Sequence, residues 1–408
     1  MKRRNLLKGI SLLPFAGGTL GSLIPSSFAV AAPGAKRDVL AELGLRTFIN
    51  AAGTYTFMTA SLMPAEVMEA INSSAKEFVM LDEAQDKVGA KIAEMCHAEA
   101  SMVTAGCWSA MALGMAGVLT GKDPKKIAQL PNLQGTGLKS EVVIQKSHMN
   151  GYEHALTNTG VTIVSVETPA EAEQAINDKT AMMWFLNREA PAGKIQHNEW
   201  LAIARKHSLP TMIDIAADVP PVENLWKYND MGFDLVCISG GKAICGPQST
   251  GILMGKKDLV AAARLNAPPN GGNIGRGMKV NKEEVIGMYV ALDSYIKRDH
   301  DKEWKMWEER IALINNAVKS VSGIITEIIV PPVANHSPCL QIAWDNTKVK
   351  ITPVALGEKL RTGSPSIEVV SWEKEKENSI KLTVFMLKPG QEKIVAARVK
   401  EELLLAST

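Results

Sequence analysis

The chain has 408 residues, of which 46% are hydrophobic and 22% are charged, and its formal net charge is +2. This composition predicts an ordinary globular protein with room for one large and one small domain, and it excludes a low-complexity chain. The small charge argues against a nucleic-acid surface. The five cysteines show no paired or metal-ligand spacing, so neither a disulfide framework nor a metal site is predicted.

Residues 1–31 have the pattern of a secretory signal peptide. A basic start is followed by an uncharged stretch, and Ala-Val-Ala at 29–31 offers a cleavage site. The pair Arg3-Arg4 resembles a twin-arginine export signal, although Lys2 stands where Ser or Thr is usual. We therefore expect export to the periplasm, by a route that carries proteins already folded.

The same segment accounts for the positive charge of the chain. It contains four basic residues and no acid, so the remainder has a formal charge of −2. Pro14 and Pro25 interrupt the apolar stretch, which argues against a stable membrane span.

Residues 32–63 are predicted to form an N-terminal arm, in which the stretch Asn50–Thr54 is either part of a site or a simple turn. Pro64 fits the first position of a helix that runs to about Lys76. A second helix is predicted from about Asp82 to His97.

A strand at Ala100–Thr104 leads into a glycine turn and then a helix to about Leu119. Such a turn presents free backbone N–H groups and the positive end of the helix dipole to an anion. The candidate anion-binding residues are Ala105, Gly106, Cys107 and Ser109.

Beyond a polar loop at 121–140, strands and helices alternate regularly. This rhythm predicts an α/β fold with a mostly parallel sheet covered by helices on both faces. The predicted strands are 141–145, 161–166, 181–186, 209–214, 235–238 and 249–254, and the predicted helices between them are 168–177 and 197–207.

Two of these strands end in residues that suggest chemistry. Asp214 ends a buried strand, where open α/β sheets bind ligands, and Ala216 follows it. The other strand leads through Ser239 and two glycines to Lys242. A lysine on so tight a turn is poorly explained as a solvated charge. Desolvation would lower its pKa and suit the amine to Schiff-base chemistry.

The rest of the chain predicts a helix that begins after Asn281, a long helix at about 302–321, and a small α+β domain. The glycine-rich basic stretch 270–279 includes Gly275 and Arg276, a candidate substrate-binding residue. It is either a loop that reaches a neighbouring subunit or a flexible linker. Arg361 either binds a substrate anion through its guanidinium fork or is a solvated helix-end residue.

Taken as a set, these motifs resemble fold-type I pyridoxal phosphate enzymes of the branch that contains selenocysteine synthase and glucosaminate-phosphate ammonia lyase. The motifs on which this resemblance rests are Asp-x-Ala at 214–216, Ser-x-x-Lys at 239–242 and the glycine turn at 105–109. The resemblance runs from about Val39 to the C-terminus.

The resemblance implies pyridoxal 5'-phosphate held as an aldimine on Lys242, with Asp214 at the pyridine nitrogen and Ala216 under the ring. It implies that the phosphate is held by the turn at 105–109, by Ser239 and by a neighbour's loop that includes Gly275. His148 would stack on the ring, and a homodimer or larger homo-oligomer is expected.

The function that follows is an exported enzyme acting on a small amino acid or amino-sugar acid, most simply a lyase of the ammonia-lyase type. A transferase, aminotransferase or racemase remains open on the same scaffold. Ser-x-x-Lys is also the nucleophile pattern of serine acyl hydrolases, which we disfavour because in those enzymes it begins a helix. The expected domains are 64–300, which binds the cofactor, and 301–408, which is small and α+β.

Overall fold

A computed structural model describes residues 37–372 and 378–407. The expected signal peptide, residues 1–31, lies outside the described residues. By compactness the chain divides into residues 1–47 and 48–408. The described part of the first unit holds one short helix, Val39–Glu42 (α1), which Asp38 caps through its side chain.

The strands of the second unit belong to three sheets. In chain order they are Ile49–Asn50 (β1), Ala100–Thr104 (β2), Glu141–Gln145 (β3), Thr162–Val166 (β4), Thr180–Leu186 (β5), Thr211–Asp214 (β6), Leu235–Ser239 (β7), Gly251–Gly255 (β8), Ile324–Ile329 (β9), Cys339–Trp344 (β10), Ile367–Glu368 (β11) and Ser379–Thr383 (β12).

The helices of the second unit lie mostly between these strands. They are Ala65–Ser74 (α2), Leu81–Met95 (α3), Gly106–Thr120 (α4), Pro124–Ile127 (α5), His154–Thr157 (α6), Pro169–Ala175 (α7), His197–Lys206 (α8), Asn224–Met231 (α9), Lys257–Leu265 (α10), Lys282–Ile296 (α11), His300–Val318 (α12), Pro353–Thr362 (α13) and Gln391–Leu405 (α14).

The large sheet has seven strands in the order β2-β8-β7-β6-β5-β3-β4. All neighbours are parallel except at β8, which runs antiparallel to both β7 and β2. The predicted mostly parallel seven-stranded sheet is confirmed. Because parallel strands need crossover connections, the helices between them cover the sheet.

Strand β5 shows that both faces of this sheet are buried. Its Met182 and Trp184 belong to one apolar cluster with α4, whereas Met183 and Phe185 belong to another with α8 and α11. Successive side chains of a strand point to opposite faces, so a continuous apolar run is what a doubly covered strand requires.

The C-terminal region forms a second core around a three-stranded antiparallel sheet with the order β12-β10-β9. Ile49 and Ala51, from the predicted N-terminal arm, belong to this core together with side chains of α12 and α14. Strand β1 pairs with β11 in parallel. Part of the arm is thus a component of the small domain.

Local signals in the sequence explain several helix boundaries. Asn281 and Glu284 form a capping box at the start of α11, as the sequence predicts.

Three helices lie where none was expected, namely α5 within the 121–140 loop, α9 and α10.

All five cysteines are free. Within the described residues, no helix is long and apolar enough to cross a membrane, and no group of three or more His, Cys, Asp or Glu side chains is placed to hold a metal.

Candidate active site

The candidate site lies where β6, β7 and α4 meet at one edge of the large sheet. Asp214 is the last residue of β6, and Lys242 follows the end of β7 by three residues. The thiol of Cys107, in the first turn of α4, lies 3.4 Å from Oδ1 of Asp214. Three segments that are far apart in the sequence therefore supply one cluster of polar groups.

Asp214 is a buried carboxylate with few partners. Its side chain is 2% exposed, and its Oδ1 accepts hydrogen bonds from the Ala216 N–H at 2.8 Å and from the Cys107 thiol. Burial raises the pKa of Asp214, while the Ala216 N–H, the positive charge of Lys242 and the Cys107 thiol oppose the rise. A cationic group placed against this carboxylate would hold it in its ionised form.

The turn that carries Lys242 is closed on itself by backbone hydrogen bonds. The N–H of Cys245 bonds the carbonyl oxygen of Lys242 at 2.9 Å, and the N–H of Gly246 bonds that of Gly240 at 2.8 Å. A Cβ atom on Gly241 would lie 2.5 Å from the Cα of Gln248, so only glycine fits there. The turn is rigid, and it fixes where the lysine side chain begins.

The Lys242 amine has no hydrogen bond or ion pair with any residue in the described parts of the chain. The side chain is partly buried. A partly buried amine without a partner, beside a buried carboxylate, is poorly explained by structure alone and is typical of a reactive lysine.

The start of α4 is open to an anion. Ala105 occupies the N-cap, and no side chain caps the helix. Gly106 has a φ of +85°, and its carbonyl oxygen accepts a bond from the Thr104 hydroxyl at 2.9 Å. The Ser109 hydroxyl donates to the Ala105 carbonyl oxygen at 2.7 Å, within the helix. The backbone N–H groups of the first turn are therefore the donors available to a ligand.

These groups fit pyridoxal phosphate. The unpartnered Lys242 amine suits its aldehyde, the buried Asp214 carboxylate suits its pyridine nitrogen, and the uncapped α4 suits its phosphate. Ser239, at the end of β7, and Ala216, beside Asp214, lie next to these groups in the chain.

His148 follows β3 and is enclosed by its own chain. Its ring has no exposed surface, its Nδ1 accepts the Leu186 N–H at 3.2 Å, and it packs edge-on against Phe185 at 4.5 Å. Phe185 belongs to the cluster on the face opposite α4. Burial lowers the pKa of His148 to about 4, so the ring is neutral at pH 7. Stacking on a cofactor ring stays a prediction.

The two arginines that were expected to bind an anion differ in their surroundings. Nε of Arg361 lies 3.1 Å from the buried Glu368 carboxylate, and Nη1 lies 3.1 Å from Glu358. Its charge is thus balanced by its own chain. Arg276 is exposed, while the adjacent Gly275 is buried, where a Cβ atom would lie 2.1 Å from the Asn266 carbonyl oxygen.

A group of buried polar residues beside the site was not expected from the sequence. Asp218 bonds the Asn187 amide, which in turn contacts His197 and Tyr228. The only signal was a second acid four residues after Asp214. Nothing in the sequence indicated that it would be buried.

Comparison with known proteins agrees with this geometry. Residues 154–285 match the family model of class-V aminotransferases. Over 380 residues the chain is 26% identical to D-glucosaminate-6-phosphate ammonia lyase of Salmonella typhimurium, covering 89% of this chain and 97% of that enzyme. The solved structure of a protein with that name covers 91% of this chain and all of its own, with a TM-score of 0.77 and 24% identity.

Two further relatives show how varied this group is. The chain is 25% identical to a 5'-C-glycyluridine monooxygenase-decarboxylase of Streptomyces sp, over 89% of this chain and 91% of that one. It is 22% identical to L-seryl-tRNA(Sec) selenium transferase of Aquifex aeolicus, over only 48% of this chain and 49% of that enzyme.

The fold is therefore that of fold-type I pyridoxal phosphate transferases, as the motifs predicted. The homologues are pyridoxal-phosphate-dependent enzymes, and the predictions of the enzyme class and of the cofactor are confirmed.

Proposed function

We propose that this chain is an exported pyridoxal-phosphate-dependent lyase of the ammonia-lyase type, acting on a small amino acid or amino-sugar acid. The observation that carries the proposal is the meeting of the Lys242 turn, the buried Asp214 and the uncapped start of α4. The likeness to an ammonia lyase along 97% of that enzyme supports the reaction class.

Each group has a separate binding task. The N–H groups at the start of α4 would bind the phosphate of pyridoxal phosphate, Asp214 would hold its pyridine nitrogen, and Lys242 would carry the covalent link. When bound, pyridoxal phosphate supplies an electron sink for the pair of electrons left at the substrate α-carbon. Asp214 is held for this task by the Ala216 N–H and the Cys107 thiol.

Lys242 is also the group that would move the proton. With substrate bound, Nζ of Lys242 would take the proton from the substrate α-carbon as a general base. The rigid turn at Gly240–Gly246 keeps this amine within the site. For a 3-hydroxy-2-amino acid, loss of the 3-hydroxyl and addition of water at the imine carbon cancel. The net change is one 2-keto-3-deoxy acid and one ammonia per substrate.

The serine acyl hydrolase alternative finds no support in the geometry. Ser239 is the last residue of β7, and residues 240–250 form no helix. The Ser-x-x-Lys pattern of that class begins a helix, which places the lysine one turn from the serine. Here the two residues are joined by a glycine turn.

The first prediction is covalent cofactor attachment at Lys242. Borohydride reduction of the holoprotein should leave a pyridoxyl group on the peptide that contains Lys242, as measured by mass spectrometry. Lys256→Ala is the matched control, because Lys256 is an exposed lysine paired with Asp234 at 2.9 Å. It should be labelled at Lys242 as in the wild type. Labelling elsewhere, or no bound cofactor, defeats the proposal.

The second prediction separates the possible reactions by their products. With an amino-sugar acid phosphate or a 3-hydroxy amino acid, a lyase releases ammonia and a 2-keto acid without any added keto acid. An aminotransferase requires an added keto acid as amino acceptor, and a racemase only inverts the substrate. Ammonia that appears only with a keto-acid acceptor, or never, excludes the lyase assignment.

The export proposal has its own test. Changing Arg3-Arg4 to Lys-Lys should trap a folded, full-length precursor in the cytoplasm, measured by cell fractionation and immunoblotting. Continued delivery to the periplasm would point to the general secretory route instead.

A further inference from the structure

Asp218 is a second buried carboxylate beside the proposed site. It is 1% exposed and lies four residues after Asp214. Its Oδ2 accepts a hydrogen bond from Nδ2 of Asn187 at 2.8 Å. Asn187 is itself 1% exposed and follows β5 directly. Burying a carboxylate that only one neutral amide bonds, with no ion pair in the described structure, costs free energy. Such a residue is therefore a candidate for a functional role.

The Asn187 amide joins Asp218 to the buried Tyr228 and the partly buried His197. Its Nδ2 also lies 2.7 Å from the Tyr228 hydroxyl, and its Oδ1 lies 2.6 Å from Nε2 of His197. Because Oδ1 only accepts, Nε2 of His197 must carry the proton. Burial lowers the pKa of His197 to about 4, so this ring is a neutral donor at pH 7. This bond fixes the orientation of the Asn187 amide, whose Nδ2 is therefore directed toward Asp218 and Tyr228.

The loop between Asp214 and Asp218 is short and clamped. The Asp218 N–H bonds the Ile215 carbonyl oxygen at 3.1 Å, and Nδ2 of Asn224 bonds the Asp218 carbonyl oxygen at 2.6 Å. The Asp214 carboxylate is held by the Ala216 N–H in the same loop. These hydrogen bonds hold both acids in one short turn of the chain.

The charge of Asp218 changes near neutral pH. Burial and the Asp214 charge raise the pKa of Asp218 to about 7, against the Asn187 bond and the positive charges of Lys242 and Arg188. The Tyr228 hydroxyl, which accepts a hydrogen bond from the same amide, stays protonated, since burial and the Asp218 charge raise its pKa. The Asp214 charge raises the pKa of Asp218, and by the same coupling an ionised Asp218 disfavours the anionic form of Asp214.

We propose that Asp218 is a positioning residue whose charge, set through its bond to Asn187, acts on the Asp214 carboxylate in the same short turn. The proposal rests on the role proposed above for Asp214. It adds a group that touches neither substrate nor cofactor and acts through its charge.

The main test is a pH titration of the absorption spectrum of the bound cofactor without substrate. The wild type should show a transition with a midpoint near pH 7. Asp218→Asn keeps the shape and an oxygen for the Asn187 bond, and it should remove this transition. Asn187→Leu removes a donor that favours the ionised form, so the midpoint should rise. Asp230→Asn, at an exposed carboxylate paired with His97, is the control and should match the wild type.

A second measurement does not depend on the cofactor. Infrared spectra of apoprotein labelled with ¹³C-aspartate should show a protonated carboxyl band at pH 6 that disappears with a midpoint near pH 7. In Asp214→Asn the band should remain but disappear at a lower pH, because the Asp214 charge no longer raises the pKa of Asp218; this separates the two acids. It should be absent from Asp218→Asn, whose folding is checked by circular dichroism.

The outcomes separate the two proposals. A protein that binds no cofactor but shows the Asp218 band contradicts the proposed function alone. A wild type without any titrating carboxyl band, or a folded Asp218→Asn variant whose cofactor spectrum titrates as in the wild type, overturns the role of Asp218. Should Asp218→Asn not fold, the wild-type infrared titration and the Asn187→Leu midpoint decide.

Discussion

Single residues in this site act through fixed contacts that the sequence does not show. The motif spacing was enough to nominate Asp214 and Lys242, because Asp214 ends a strand and Lys242 follows the next strand by three residues, at an edge where ligands bind. Cys107 was nominated only as part of an anion-binding turn. In the structure its thiol donates to Asp214, across 107 positions of the chain. No local pattern reports such a contact.

Cys107 is expected to tune Asp214. Its thiol donates to the carboxylate, and this bond opposes the rise in the pKa of Asp214 that burial causes. Cys107→Ala should therefore raise that pKa further and weaken the bond to the pyridine nitrogen. A side-chain hydrogen bond of about 1 kcal/mol corresponds to about a fivefold loss of kcat. Asp214→Ala, which removes the carboxylate, should cost several orders of magnitude.

Cys107→Ser is the matched control for this prediction, because it keeps a donor at the same position. Its kcat should stay closer to that of the wild type than the kcat of Cys107→Ala, with thermal unfolding showing that both variants are folded. Equal kcat values for all three proteins would show that the thiol has no influence on Asp214.

At the scale of elements, the sequence predicted strands and helix ends correctly where an apolar run or a capping signal lay within the element itself. Strands β2 and β3 lie where the apolar runs placed them, and Asn281 caps α11 as its spacing to Glu284 indicated. The pairing of β1 with β11 was not predictable, since each has two residues and Ile49 pairs with the distant Ile367. Helix α5 was missed despite the Asp123 cap before a proline, because it has only four residues.

The start of α4 depends on close packing against β8. A Cβ atom on Gly251 would lie 2.4 Å from the carbonyl carbon of Gly106 and 2.5 Å from the backbone nitrogen of Cys107. Both are backbone atoms of the first helical turn, so they cannot move without turning the N–H groups. Gly251→Ala should weaken cofactor binding at least about tenfold, which is about 1.4 kcal/mol, and should destabilise the fold by about 1–3 kcal/mol.

Cofactor affinity and stability are measured by spectroscopic titration of the apoprotein and by thermal unfolding. Gly277→Ala introduces the same methyl group where no atom lies within 4 Å, so it should leave the stability of the fold unchanged. A folded Gly251→Ala protein with the wild-type dissociation constant would mean that the start of α4 does not bind the phosphate.

At the scale of the whole molecule, composition and alternation gave the fold class. Residues 32–63 were predicted to form an N-terminal arm, and Ile49 and Ala51 of this stretch pack in the same core as Ile311 and Val399. A buried segment of a few residues at one end of the chain carries no period of its own. Its partners can be known only once the chain has folded.

The assembly of subunits stays a prediction, and the surface of the chain supports it. Phe78, Val79 and Met80 are three consecutive exposed apolar residues between α2 and α3. Contiguous exposed apolar surface marks interaction sites in soluble proteins. Arg276 is exposed as well, beside a buried glycine that anchors its loop against Leu113 of α4. An exposed cation on a loop that is anchored in the fold is suited to a site that two subunits complete together.

If the Arg276 loop of one subunit completes the phosphate site of its neighbour, two inactive variants should complement each other. Lys242→Ala lacks the covalent link, and Arg276→Ala lacks the cation donated to the partner. A mixed dimer then contains one site with both residues, so it should regain about half of the wild-type activity per dimer. Activity is measured after subunit exchange, with native mass spectrometry to count the mixed dimers. Lys279→Ala mixed with Lys242→Ala tests whether any cation of the loop has the same effect. Mixed dimers that form and stay inactive, or a monomer that is active at nanomolar concentration, would show that each subunit builds its site alone.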